Sequence, residues 1–155
     1  MIRHAKPEDT PIICQLIRKL ADYEKLSDKV CFDENRVREH LFGPRPYAEV
    51  LLAEQSGKVV GFAFFFHNYS PFVGKPGIYL EDLFVEPEFR GQGHGKALLR
   101  ALAKIALERD CGRLEWSVLD WNEPSIKFYV ALGAIPLNEW SVYRLAGEAL
   151  QNLAT

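Results

Sequence analysis

The chain has 155 residues, of which 48% are hydrophobic and 26% are charged, and this balance is typical of a globular protein rather than of a disordered one. The formal net charge is only -2, so nothing indicates the broad basic surface that binds nucleic-acid phosphates. Residues 1–7 contain no apolar signal core, and no apolar run approaches the roughly 20 residues that span a bilayer. We therefore expect a single domain over residues 1–155 that is cytoplasmic and binds neither nucleic acid nor membrane.

Cysteine and histidine residues give no sign of a disulfide framework or of a metal centre. The cysteines, Cys14, Cys31 and Cys111, are odd in number and widely spaced, without a C-x-x-C pair. The four histidines lack the H-x-x-x-H spacing that places two ligands on one helix face. We expect no metal, and we expect the thiols to be buried or incidental.

The N-terminal half of the chain predicts two helices followed by three strands. Apolar residues first recur at helical spacing, and then follow two runs rich in strand-forming residues around a short turn. A third strand is predicted after a loop rich in proline and glycine. The predicted helices cover residues 11–21 and 33–41, and the predicted strands cover residues 49–54, 59–66 and 78–85.

The C-terminal half predicts two further helices, each followed by a strand. The helices are predicted for residues 93–109 and 122–132, and the strands for residues 113–118 and 140–145. A short helix after Ala146 is a further expectation. A strand, a helix and a strand in succession predict a β-α-β crossover with two parallel strands, whereas the earlier hairpins predict antiparallel pairing. The class is mixed α/β.

A glycine-rich loop, R-G-Q-G-H-G at residues 90–95, lies between a predicted strand and a predicted helix. Backbone N–H groups at a helix N-terminus attract phosphate, and glycines let a pyrophosphate approach the main chain. Arg90 and Lys96 add positive charge. The spacing fits neither the Walker loop nor the dinucleotide fingerprint G-x-G-x-x-G. Glycines that only make a tight turn are the alternative interpretation.

The same loop resembles the acetyl-CoA signature R/Q-x-x-G-x-G/A of the GNAT acetyltransferases, matched by Arg90, Gly93 and Gly95. Y-L-E-D-L-F-V at residues 79–85 and W-N-E-P-S-I-K-F-Y at residues 121–129 are similar to the spermidine/spermine (diamine) and thialysine acetyltransferase branch. The resemblance covers nearly the whole chain. It implies acetyl-CoA as co-substrate and a GNAT-type acyl-CoA N-acyltransferase fold, a central mixed sheet with splayed parallel strands flanked by helices.

The resemblance also implies a set of residues that contact acetyl-CoA along one strand, the glycine loop and a later helix. The pantetheine arm would lie against the strand backbone, and the pyrophosphate against the loop. Asn122 and Ser125 fit helix capping equally well. The implied contacts are Leu83, Phe84, Val85, Arg90, Gly91, Gln92, Gly93, His94, Gly95, Lys96, Asn122, Ser125 and Tyr129.

Two catalytic residues follow from the resemblance, Glu81 as a base acting through water and Tyr129 as the acid that protonates the departing thiolate. Burial between the splayed strands would strengthen Glu81 as a base. A structural ion pair is the alternative for Glu81. Packing beside Phe128 is the alternative for Tyr129.

Substrate contacts implied by the resemblance are Tyr23, Glu24, Glu81 and Asp82, which together would select a small cationic amine. In a regular strand, Asp82 would project to the face opposite Glu81. An ordinary solvated acid is the alternative for Asp82, and a solvated helix face is the alternative for Glu24.

The predicted function is therefore acetyl-CoA-dependent N-acetyl transfer, directly and without a covalent enzyme intermediate, to the primary amine of a polyamine or a lysine analogue such as thialysine. A non-catalytic acyl-CoA-binding or regulatory module and an enzyme acting on a peptide amine are the alternatives. The resemblance also implies a homodimer, with the strand at residues 140–145 or the first helices near the partner.

Overall fold

A five-stranded mixed sheet organises the first of the two units into which the chain divides. The computed structural model describes residues 1–155, and the units cover residues 1–117 and 118–155. The sheet strands are β1 (Ile2–His4), β2 (Glu49–Gln55), β3 (Lys58–Ser70), β4 (Lys75–Val85) and β5 (Leu114–Trp116). The helices of this unit are α1 (Thr10–Tyr23), α2 (Glu34–Phe42) and α3 (His94–Glu108).

The strands lie side by side in sequence order, β1-β2-β3-β4-β5. The pairs β1–β2, β2–β3 and β3–β4 are antiparallel, and the pair β4–β5 is parallel. Helix α3 connects β4 to β5, so the predicted β-α-β crossover and the mixed α/β class are confirmed. Strand β1 was not predicted. It has only three residues and forms because Ile2 and Arg3 pair with the edge of β2.

The two parallel strands separate after a short stretch of pairing, as the predicted fold requires. Strand β5 pairs only with Ile78, Tyr79 and Leu80 of β4. Residues 82–85 of β4 pair with β3 on one side, and from residue 81 to residue 85 β4 has no strand on the other. We call this side of residues 81–85 the open edge of β4.

The two faces of the sheet are covered by different helices. Helices α1 and α2 pack on the face that carries Phe62 and Phe84, through Ile13, Leu16 and Leu20 of α1. Alternate strand residues face the other side. There α3 covers the sheet with its own buried apolar residues, including Leu98 and Leu102. The central strands are therefore buried on both faces, which fixes their position and that of the loop after β4.

The second unit contains two helices, α4 (Glu123–Ala131) and α5 (Gly147–Ala154), and no strand. Helix α5 confirms the predicted short helix after Ala146. The strand predicted for residues 140–145 is wrong: this segment is irregular, and Val142 and Tyr143 are 87% and 94% exposed. A strand forms its hydrogen bonds with the backbone of a neighbouring strand, and the second unit contains no other strand. No helix of the chain is both long and apolar enough to cross a bilayer.

Candidate active site

The glycine loop presents its backbone to solvent at the start of a long helix. After a short 3-10 turn at Pro87–Phe89, residues 90–93 lead into α3, a helix of 15 residues whose N-cap is Gly93. Gly91 and Gly93 have φ values of 75° and 89°, and a Cβ atom at either would meet nothing within 4 Å. Main-chain N–H groups in such a conformation form a concave site for anions, which the positive end of the helix dipole reinforces.

Arg90 joins this loop to the end of α1. Its Nε donates a hydrogen bond of 2.9 Å to the carbonyl oxygen of Val85. Its guanidinium lies 4.7 Å from the ring centroid of Tyr23 and 5.4 Å from that of Phe84, distances at which a cation is attracted to an aromatic face. The structure thus brings Arg90, an implied contact of acetyl-CoA, together with Tyr23, an implied contact of the amine substrate.

The other polar side chains of the loop differ in their partners. His94 Nε2 lies 2.6 Å from Gln55 Oε1 at the end of β2, and Gln92 Nε2 donates to the carbonyl oxygen of Glu88 over 3.4 Å. Lys96 is exposed in the first turn of α3. Gly95, also in that turn, is half-buried. An anion at the loop would therefore meet main-chain N–H groups and the charge of Lys96.

Main-chain groups along the open edge of β4 alternate in direction. The N–H of Glu86 donates to Val60 of β3 over 2.8 Å, and Phe84, two residues earlier, points the same way. The main-chain groups of Leu83 and Val85 therefore point out of the open edge. An extended ligand with amide groups can pair with such an edge as an added strand does. The edge and the glycine loop follow each other directly, so both fit a long ligand with a phosphate group at one end.

A cavity of about 360 Å³ lies against α1, which we call the α1 cavity. That volume is within the range of small-ligand sites. Its wall is mostly apolar and includes two acidic residues, Glu24 and Asp82, and one lysine, Lys29. The lining residues are Ile17, Leu20, Ala21, Glu24, Leu26, Lys29, Val30, Cys31, Phe32 and Asp82.

The carboxylates of the α1 cavity are harder to ionise than exposed acids. Burial, helped by the nearby charges of Glu81 and Glu24, raises the pKa of Asp82 to about 6. Burial also raises the pKa of Glu24. A bound cation would offset the cost of ionising both groups, so the cavity favours a ligand with positive charge.

Comparison with known proteins assigns the family. The profile of the acetyltransferase (GNAT) family matches residues 15–134. The chain belongs to the GNAT acetyltransferases. A thialysine N-epsilon-acetyltransferase from Bos taurus is 43% identical over 165 residues, covering 99% of this chain and 96% of that protein. An L-ornithine N5-acetyltransferase from Arabidopsis thaliana is 34% identical, covering 97% and 86%.

Solved structures agree with the fold of a GNAT acetyltransferase. An integron cassette protein from V. cholerae superposes with a TM-score of 0.82 at 29% identity, covering 99% of this chain and 96% of that one. A ribosomal-protein-alanine N-acetyltransferase from Brucella melitensis gives a TM-score of 0.73 at 28% identity, covering 95% and 99%. The predicted family, fold class and enzyme class, an acetyltransferase, are confirmed.

The two acids of the GNAT strand β4 lie in different surroundings. Phe64 pairs with Asp82 and Phe65 with Leu80, so Glu81 has no partner on β3 and forms a β-bulge. The strand is therefore not regular at this pair. The expected burial of Glu81 is wrong, because its side chain is exposed, whereas Asp82 is largely buried in the α1 cavity.

Three predicted site residues of the acetyltransferase lie in the second unit. Asn122 is the N-cap of α4, and its side chain accepts a hydrogen bond of 3.4 Å from the N–H of Ser125, as the capping interpretation predicts. Tyr129 lies on α4, with its ring centroid 5.5 Å from that of Phe128. The roles of these residues toward a ligand stay predictions.

Sequence reasoning missed most of the α1 cavity. Ile17 and Ala21 of α1 and Glu24 directly after it recur at spacings of four and three residues, a signal that could have revealed one wall. Lys29 belongs to the 3-10 turn Ser27–Lys29, whose position depends on contacts beyond that turn. No group of three or more histidine, cysteine or acidic side chains lies together in an arrangement suited to a metal ion.

A glycine substitution tests the phosphate-binding role of the loop. Gly93→Ala places a methyl group in the open space above the main chain, and we expect the Kd for acetyl-CoA to rise about tenfold, which is roughly 1.4 kcal/mol. Gly74→Ala is the matched control, because Gly74 has φ +71°, equally open surroundings and a position at the opposite end of β4. Both variants should lose about 1–2 kcal/mol of stability from the left-handed backbone. Equal acetyl-CoA affinity of the two variants, measured by titration calorimetry, would contradict the role.

Proposed function

We propose that this GNAT protein transfers an acetyl group from acetyl-CoA directly to the primary amine of a small cationic metabolite, a polyamine or a lysine analogue such as thialysine. The observation that carries the proposal is the position of Asp82. It lines the α1 cavity beside Glu24 and lies on β4 immediately before Leu83, at the start of the open edge. Asp82 therefore lies both in the wall of the acidic α1 cavity and at the start of a strand edge with which an extended ligand can pair.

Acetyl-CoA fits the features of the first unit. Main-chain N–H groups of residues 91–95 and the ammonium of Lys96 would bind its phosphates, and the main-chain groups of Leu83 and the N–H of Val85 would bind its amides. When bound, acetyl-CoA supplies an activated acetyl thioester. The implied contacts of Asn122, Ser125 and Tyr129 belong to the same proposal.

The amine must lose a proton before it can attack a carbonyl carbon, since an alkylammonium has a pKa near 10.4. Asp82 and Glu24 would attract the cation and hold it in the α1 cavity. Glu81, exposed on the bulge beside Asp82, would accept the proton through water. Tyr129 would donate its phenol proton to the sulfur that leaves. No covalent enzyme intermediate is required.

The names of the relatives support this substrate class. Beside the thialysine and ornithine enzymes, a spermidine/spermine N(1)-acetyltransferase-like protein from Homo sapiens is 34% identical over 163 residues, covering 99% of this chain and 23% of that protein. All three named substrate types carry a primary amine on a flexible chain. The carboxylates of the α1 cavity supply the charge that such amines need.

Two further features belong to the proposal. We propose that the acetyltransferase is a cytoplasmic, single-domain protein that forms a homodimer. Trp140, Val142 and Tyr143 support the homodimer, because their large apolar side chains are exposed in the second unit and association would remove them from water. Size-exclusion chromatography with light scattering distinguishes a dimer from a monomer.

The proposal is tested by measuring CoA release from acetyl-CoA with a panel of acceptors. The panel contains spermidine, spermine, putrescine, thialysine, ornithine, lysine and short peptides, and Glu81→Gln is compared with the wild type. We expect rapid release with one class of small amine and about a hundredfold slower release by the variant, the range for one acid-base residue. Release with peptides alone would contradict the small-amine class. Tight acetyl-CoA binding without release for any amine would favour a binding module.

A further inference from the structure

The α1 cavity contains one positive charge among its acids. Lys29 is the single basic residue of its lining, opposite in charge to Glu24 and Asp82. Its ammonium lies 3.9 Å from the carboxylate of Asp28, beyond hydrogen-bonding distance, and both side chains are mostly exposed, Lys29 at 74%. Such an exposed pair is weak, so the ammonium of Lys29 can bind another anion.

The lysine and the carboxylate at the open edge are held by different parts of the fold, although both line the α1 cavity. Asp82 belongs to β4, and Lys29 belongs to the turn after α1. A ligand in the cavity therefore meets an acidic residue from β4 and a lysine from the turn after α1.

The charges of the cavity match those of one class of amine better than another. Glu24, Asp82 and Lys29 together carry a net charge of -1 when all three are ionised. A basic amino acid has two ammonium groups and one carboxylate, so its net positive charge balances the net negative charge of these three cavity residues. A diamine lacks the carboxylate and would bring a second ammonium toward Lys29, where like charges repel.

We propose that Lys29 binds the α-carboxylate of the acceptor, so that the enzyme prefers an amino acid with a side-chain amine to a diamine of the same chain length. This inference rests on the proposed function and narrows it to one of the two substrate types. Lys29 is a specificity-determining residue of the α1 cavity and has no part in the proton transfers.

The test compares acceptors that differ only by the carboxylate. The pairs are ornithine with putrescine, and lysine with cadaverine, and kcat/KM is measured from CoA release. Lys29→Met keeps the apolar stem and removes the charge. Lys104→Met is the matched control, because Lys104 is 77% exposed and also lies 3.9 Å from a carboxylate, that of Glu108 on the same helix α3. Thermal unfolding of each variant checks the fold.

We expect Lys29→Met to lower kcat/KM for the amino acids about tenfold or more, mainly by raising KM, since a charge-assisted contact is lost. Putrescine and cadaverine should be used equally well or better, Lys29→Arg should restore the preference, and Lys104→Met should change neither substrate type. An equal effect of Lys29→Met on both members of a pair, or no effect, would overturn the role of Lys29 and leave the proposed function standing. No CoA release by the wild type with any amine would overturn both.

Discussion

Tyr129→Phe is expected to lower kcat for CoA release by about a hundredfold or more, the range for loss of one general acid, while the Kd for acetyl-CoA stays unchanged. Phenylalanine keeps the aromatic ring beside Phe128 and removes only the phenol hydroxyl group. The departing thiolate would then have to take its proton from water. Steady-state kinetics and calorimetric titration with acetyl-CoA measure the two quantities separately.

The control for this substitution is Tyr47→Phe, which removes the hydroxyl of an exposed tyrosine whose ring packs edge-on against His40. This variant should retain the kinetics of the wild type. If Tyr129→Phe also retains them, Tyr129 only packs within the second unit. If it loses acetyl-CoA binding together with turnover, the hydroxyl serves binding rather than proton donation.

Asp82→Asn is expected to change stability and activity in opposite directions. The pKa of Asp82 is about 6 in the folded protein, above the ordinary value of 3.8, because burial and nearby acids disfavour its ionised form. The folded state therefore binds the proton more tightly than the unfolded state. Ionisation of Asp82 therefore lowers the free energy of unfolding progressively as pH rises from about 4 to about 6. Above about pH 6 the loss reaches up to about 3 kcal/mol, because each unit of pKa difference corresponds to about 1.4 kcal/mol.

Asparagine removes that cost, so urea unfolding at about pH 8 should show the variant to be more stable by up to about 3 kcal/mol, with little difference at about pH 4. Asp110→Asn is the control, because Asp110 is exposed and forms only a surface ion pair with Lys75. A stability gain that is the same at both pH values would contradict the burial cost assigned to Asp82.

The same variant should lose activity toward a cationic amine. With wild-type protein, kcat/KM should fall as pH drops below about 6, because Asp82 takes up a proton and no longer attracts the ammonium. Asp82→Asn should have a kcat/KM at about pH 8 lowered about tenfold or more, and should lack the fall near pH 6. A variant with wild-type activity and an unchanged pH profile would show that the amine does not bind beside Asp82.

The glycine loop is the feature that the sequence predicts best, because its properties are local. The run R-G-Q-G-H-G between a strand and a helix predicts a loop whose main chain is open to a phosphate. Gly91 and Gly93 have positive φ values and no atom near a Cβ position, whereas Gly95 lies in the first turn of α3. Helix α3 likewise begins within one residue of its predicted start, since capping and apolar spacing are properties of the segment itself.

The bulge at Glu81 is not predictable from β4 alone. It is a property of the register between β3 and β4, which changes where Phe64 and Phe65 meet that strand. The alternation rule assumes a regular strand, so it predicts nothing reliable about the relative positions of Glu81 and Asp82. The resemblance implies Glu81 as the acid between the splayed strands, whereas the structure exposes Glu81 and largely buries Asp82.

Residues 140–145 show that strand-forming composition alone does not predict a strand. Trp140, Val142 and Tyr143 have the composition of a strand, but composition does not supply the neighbouring backbone that a strand requires. Lys29 presents a similar case, because a lysine in a short turn looks like an ordinary surface residue until the fold places it at the α1 cavity.

The most direct test of acetyl transfer is identification of the product by mass spectrometry after incubation with acetyl-CoA and thialysine or ornithine, with CoA release followed in the same sample. We predict one N-acetylated amine for each CoA released, with the acetyl group on the side-chain nitrogen and none on the protein. Release of CoA with free acetate and no acetylated amine, or acetyl-CoA that stays intact on the protein with every amine supplied, would contradict acetyl transfer to a small cationic amine.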